Sequence, residues 1–236
     1  MENTGQTHWI PLSDLMTGLM MVFLLISVAL IWRASEVLKV STQIVTDYEQ
    51  TKSDLEQALQ EEFKEDLKRW NAEILADLTV RFKDPQTLFK TGSAVLEDEF
   101  KKKLDEFLPK YVAILTSDKY RSAVKEVRIE GHTSSFWIGA KTPQEAYFRN
   151  MELSQSRTRS TLEYLLNLAS LQGKDDWLRQ HVTANGLSSS RPVQGGSQRD
   201  VARNQRVEFR VTTNAEERIN ELEYAIAQLV HRIGNK

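Results

Sequence analysis

IPLSDLMTGLMMVFLLISVALIW, residues 10–32, carries a single charge, Asp14, and from Leu15 to Trp32 runs 18 residues with none. At ~1.5 Å rise per residue that run covers roughly 27 Å, close to the hydrocarbon thickness of a bilayer. The stretch predicts a transmembrane helix over 10–32, with Asp14 near one end. A carboxylate inside a membrane costs on the order of 2.5 kcal/mol unless it is protonated, paired or facing a polar cavity. A plain anchor has no use for one, which makes Asp14 a candidate ion carrier. The bland alternative is an acid near the helix start, favourable to the helix dipole.

Upstream, residues 1–9 contain Glu2 and neither Lys nor Arg, the wrong charge for a signal peptide, and no small-x-small cleavage site follows. A retained anchor is expected. Arg33 and Lys39 follow the span, and by Lys/Arg count alone would place the C-terminal side in the cytoplasm. The 236 residues leave room for one span, some helix and one domain of ordinary size. With 31 Lys and Arg spread among 33 Asp and Glu, nothing reads as a nucleic-acid surface. The absence of cysteine excludes disulfides and thiolate metal sites.

Downstream, Ala34 to Ala76 has neither Pro nor Gly and is rich in Glu, Lys, Gln, Leu and Ala, a helical composition. A narrow stripe runs through it: Val37, Val40, Ile44, Tyr48, Thr51, Leu55, Leu59, Phe63, Leu67, Trp70, Ile74 and Leu78. Their mean spacing of about 3.7 residues suits straight or slightly right-handed helix pairs. The other faces are charged, so the stripe needs a partner. Residues 33–77 are therefore read as a parallel homodimer stalk of roughly 60 Å. A helix folding back on its own globular domain is the alternative.

From Leu78 the period shortens. Strands are expected at 78–82, 127–131, 182–187 and 207–212, and helices from about 96 to 116 and 147 to 168. A polar insertion, Ser134–Glu145, carries Gly139 and Pro143 as loop markers. Asn214 would cap a last helix to about Ile233, with a second seam at Ile219, Leu222, Ile226, Leu229 and Ile233. The fold class is α+β, helices layered on a sheet over residues 78–213, followed by a C-terminal helix over 214–236.

Four motifs stand in order: LFKTGSAVL at 88–96, Gly131-His132-Thr133, NMELSQSR at 150–157 and NQRVEF at 204–209. Together they resemble the OmpA-like peptidoglycan-binding domain. The resemblance implies a βαβαβ domain whose groove holds the diaminopimelate of the wall peptide. Asn150, Leu153 and Arg157 share one helix face at i, i+3 and i+7. A guanidinium suits a carboxylate by a two-pronged hydrogen bond, Asn150 offers a donor and an acceptor, and Leu153 supports the packing. Arg206 would add positive charge from the last strand. The bland reading of Arg157 is a surface arginine paired with an acid. His132 reads as structural: with no second His and no acid at ligand spacing, no metal site is expected. The family's Asp after GHT is replaced by Ser134, which accepts a hydrogen bond but pairs no charge. Glu145 in the insertion is a candidate substitute.

The segment DLMTGLMMVFLL, residues 14–25, is similar to the single span of MotB, the wall-anchored flagellar stator subunit. The resemblance implies that Asp14 relays protons or sodium, with Thr17 as its neighbour on the ion path. It further implies two copies inside a pentamer of a multi-span MotA-like or ZorA-like partner. Such proteins keep a short N-terminus (here 1–9) in the bacterial cytoplasm and the wall-binding domain in the periplasm, because peptidoglycan lies outside the inner membrane. That overrides the local charge count. The short acidic N-terminus resembles the ZorB family of Zorya anti-phage defence more closely than flagellar MotB. No cofactor and no bond-making chemistry are implied. A flagellar stator subunit and a passive envelope tether without ion flow are the alternatives.

Overall fold

Branched and aromatic residues alternate with charges along the strands, so each strand has an apolar and a polar side. In the computed structural model, residues 9–83, 85–193, 204–214 and 224 are described. Contacts divide the chain into two units, Met1–Tyr48 with Glu217–Lys236, and Glu49–Glu216. In the first lies most of helix α1 (Trp9–Phe63), within which Ser13–Glu36 is long and apolar enough to cross a membrane, with mean hydropathy 2.4. None of that window is buried within the chain, as a lipid- or partner-facing helix requires. The seam expected at 219–233 lies outside the described residues.

The second unit is a layer of helices on one mixed sheet. Its strands are β1 (Ala72–Leu75), β2 (Thr79–Phe82), β3 (Val124–His132), β4 (Val182–Gly186) and β5 (Arg206–Thr213). They lie in the order β1-β2-β5-β3-β4. Only β3 and β4 run parallel, and β5, last in the chain, sits at the centre between β2 and β3. The helices are α2 (Asp66–Trp70), α3 (Pro85–Leu88), α4 (Asp98–Leu115), α5 (Pro143–Leu166) and α6 (Asp175–His181).

The apolar side of the sheet carries Val80, Phe82, Val127, Ile129, Val207 and Phe209, all buried. Helix α4 packs there through Phe100, Leu104, Phe107 and Tyr111, the Phe107 ring 5.2 Å from that of Phe209 and 5.4 Å from that of Phe82. Aromatic pairs in such tilted and edge-on contacts add about 0.5–1.5 kcal/mol each beyond the area they bury. Leu55, Leu59 and Phe63 of α1 and Trp70 of α2 belong to the same core, and the Phe63 ring lies 5.3 Å from Phe107. Tyr120 Oη donates to the Asp54 carbonyl at 3.0 Å, and Lys119 pairs with Asp54 at 2.7 Å.

This corrects the long stalk. The helix does not run to residue 77: it stops at Phe63, α2 follows, Asn71 turns the chain with φ 52°, and Ala72–Leu75 pairs with β2. The lower half of the stripe has its apolar partner in its own domain, so it needs none from a second copy. The last strands and α4 fall where the sequence places them, within a few residues. Helix α5 starts four residues earlier than expected, because Pro143 is a helix-start residue rather than a loop marker. Thr142 caps it, its Oγ1 accepting from the Glu145 N–H at 3.1 Å.

Candidate functional site

Two glycines let α5 press against the sheet. A Cβ at Gly131 would stand 2.7 Å from the Ser154 carbonyl oxygen, and one at Gly186 would run into the Gln155 backbone. Gln155 ties the helix to β4 from both ends of its amide: Nε2 donates to the Ala184 carbonyl at 3.1 Å, and Oε1 accepts from the Gly186 N–H at 2.7 Å. Ser154 Oγ accepts from the Ser188 N–H at 3.1 Å. The face of α5 carrying Asn150, Leu153 and Arg157 is thereby fixed at the end of the sheet, against the loop after β3.

There those three residues line one pocket of about 330 Å³. Thr91 and Gly92 close one side, Thr133 and Ser134 the floor after β3, Phe136, Trp137 and Ile138 the insertion side, and Gln205 the edge of β5. Asn150, Leu153 and Arg157 therefore meet Ser134 in one cavity. Arg157 is 6% exposed, with Nε donating to the Ser93 carbonyl at 2.9 Å and Nη2 to the Lys90 carbonyl at 3.1 Å. Its guanidinium carbon lies 4.9 Å from the centre of the Phe89 ring. These contacts use two of its five N–H donors, leaving at most three for a ligand. Burial pushes the guanidinium down to about 10, so it stays cationic at neutral pH. It is a positioned cation, held by backbone carbonyls and, among the described residues, without a side-chain acid.

Asn150 Nδ2 and Ser134 Oγ both donate to the Phe136 carbonyl, at 3.2 and 3.3 Å. The two ends of the pocket floor thus hold the insertion by one oxygen. Glu145, the candidate substitute for the missing Asp, is occupied elsewhere. It accepts from the Lys141 N–H at 2.9 Å and from Arg149 Nε at 3.0 Å at the start of α5, and it does not line the pocket.

Arg206 also stands apart from the pocket, where its neighbour Gln205 takes the edge. It lies on the polar side of the sheet, its Nε 2.6 Å from Glu208 Oε1. That side holds a buried network. Arg81 Nε is also 2.6 Å from Glu208 Oε1, His132 Nε2 is 3.2 Å from Glu208 Oε2, and Arg191 and Arg210 each approach Glu130 Oε2 at 3.6 Å. Two acids thus stand beside His132: Glu130, two residues earlier on the same face of β3, and Glu208, brought over by the pairing of β3 with β5. Arg81, Arg191, Arg206 and Arg210 all stand within 4 Å of these two carboxylates, so the domain's own side chains balance their charge.

Phe136, Trp137 and Ile138 went unrecognised as pocket residues. The signal was present: three consecutive large apolar residues inside an otherwise polar insertion. Asp14 and Thr17 belong to the other unit. Asp14 is exposed, and Thr17 Oγ1 donates back to the Ser13 carbonyl at 2.8 Å, a local bond within α1.

Comparison with known proteins agrees with this layout. Residues 88–206 match the OmpA family. The Zorya protein ZorB of Escherichia coli is 42% identical over 223 residues, covering 94% of each chain. A MotB-like protein from Desulfovibrio vulgaris is similar in structure, at 20% identity and TM-score 0.48, over 74% of this chain and 99% of its own. The cell wall anchor of the T6SS from Pseudomonas aeruginosa is 24% identical at TM-score 0.46, over 66% of this chain and 96% of its own. The 42% identity to ZorB across 94% of both chains, with the OmpA match inside it, places the chain in the ZorB family.

Proposed function

We propose that the chain is the wall-anchored, stator-type subunit of an ion-driven inner-membrane motor in Zorya anti-phage defence. The observation that carries this reading is the convergence of Ser134, Asn150, Leu153 and Arg157 on one pocket of an OmpA-family domain. Peptidoglycan is the ligand: Arg157 meets a carboxylate of the wall peptide, and Asn150 and Ser134 bond its polar atoms. The wall lies outside the inner membrane, so residues 1–9 are cytoplasmic, 10–32 span the bilayer and the sheet domain is periplasmic. Asp14 cycles between protonated and ionised as a pentameric multi-span partner steps around it, with Thr17 beside the path. Two copies pair through the stripe upstream of residue 49. Holding the domain to the wall matters mechanically, because torque requires one part to stay still.

Two variants test the halves separately. Asp14→Asn, expressed with its partner subunits, should abolish phage protection while membrane insertion and complex assembly persist. Full protection by that variant refutes the relay. Arg157→Ala should weaken co-sedimentation with purified peptidoglycan, and unchanged sedimentation refutes the pocket as the wall site.

A further inference from the structure

Among the described residues, the pocket around Arg157 is lined by one cation and no carboxylate. That is a poor place for a ligand ammonium. The guanidinium is buried beside Phe89 and would repel a second cation brought next to it, and the acid of the insertion, Glu145, is held at the start of α5. What the pocket does offer is neutral acceptors. Asn150 commits its Nδ2 to the Phe136 carbonyl, which leaves Oδ1, and Ser134 Oγ commits its proton to the same carbonyl, which leaves its lone pairs. Thr133 Oγ1 lines the pocket floor, fully buried and without a hydrogen-bond partner among the described residues. An amide N–H needs one such acceptor, whereas an ammonium brings three donors and a charge. Beside these atoms Phe136 and Ile138 stand 69% and 82% exposed, an apolar surface next to the polar floor.

We propose that this pocket takes a carboxylate whose neighbouring nitrogen is acylated, an uncharged amide, in preference to the same carboxylate beside a free ammonium. The proposal rests on the wall-binding reading above. In peptidoglycan the side-chain amine of diaminopimelate is free in an uncross-linked stem and acylated where that amine joins two stems. The site then distinguishes the cross-linked wall, with the acyl group lying on Phe136 and Ile138.

The test is titration calorimetry of the full chain in detergent with two synthetic stem peptides, identical except that the diaminopimelate amine is free in one and acetylated in the other. The acetylated peptide should bind about tenfold tighter, the size expected when one buried polar group gains or loses its partner. Ser134→Asp, which supplies the missing charge, should reverse the order. Changing both Phe136→Ala and Ile138→Ala, two exposed side chains, should weaken only the acetylated peptide. Equal affinities, or tighter binding of the free amine through the aromatic faces, overturn the proposal. So does binding of neither peptide. The wall reading is judged apart from these outcomes, by whether Arg157→Ala loses sedimentation with whole peptidoglycan.

Discussion

Glu208, 1% exposed, sits between two guanidiniums and an imidazole. Burial alone would raise its carboxyl, but the adjacent His132 imidazole and the charge of Arg206 hold it well below the usual carboxylate range. Burial lowers His132 below its ordinary 6.5. Both shifts act in the same direction on stability. A depressed His is protonated in the unfolded chain first, so stability falls as pH drops below about 6.5. A depressed carboxylate stabilises the fold above its unfolded value near 4.5, and that contribution is lost as pH falls further. Urea unfolding of the wild-type chain should therefore show its free energy falling from pH 7 to pH 4, and a flat profile contradicts the network. Glu208→Gln leaves buried arginines without compensation and should cost about 3 kcal/mol at pH 7, while flattening the profile below pH 4.5. The motif around His132 marked it as structural, but its partner could not be read. Glu208 is adjacent only through the register of β3 against β5, which no local pattern encodes.

At the scale of elements, the stripe of α1 shows what periodicity does and does not say. It identifies a helix with one apolar face and leaves the covering surface open. Here Leu55, Leu59 and Phe63 are covered by the domain's own aromatic core. Leu59→Ala should lower the domain's stability by about 2–5 kcal/mol, read as a drop in melting temperature that does not vary with protein concentration. A concentration-dependent shift would return those residues to a dimer seam. Gly186 makes the complementary point from the strand side. With Gln155 backbone where its Cβ would go, Gly186→Ala should push α5 off β4, lowering both the melting temperature and peptidoglycan sedimentation. Sedimentation at the wild-type level would mean that the pocket does not depend on this contact. The start of α5 was legible but misread: Thr-Pro-Gln-Glu at 142–145 follows the capping-box sequence pattern with proline at the first helical position, and a proline weighed alone looks like a loop. The pocket's apolar wall was missed for the same reason, since Phe136, Trp137 and Ile138 were averaged into a polar insertion. Asn150, Leu153 and Arg157 were singled out by the resemblance of residues 150–157 to the OmpA-like motif, and their i, i+3, i+7 spacing accounts for their lining one pocket from one helical face.

At the scale of the molecule, the central strand is the last one made. β5 pairs with β2 on one side and β3 on the other, so residues 206–213 complete the sheet. A chain ending before Arg206 leaves the edges of β2 and β3 open, and should stay aggregation-prone, with little cooperative unfolding by circular dichroism. A cooperative transition in that truncated chain contradicts the topology. The order has a consequence for biogenesis. Until residues 206–213 are made, the β1–β2 and β3–β4 pairs have no strand to join them, so the two halves of the sheet are united only at the end of the domain's synthesis.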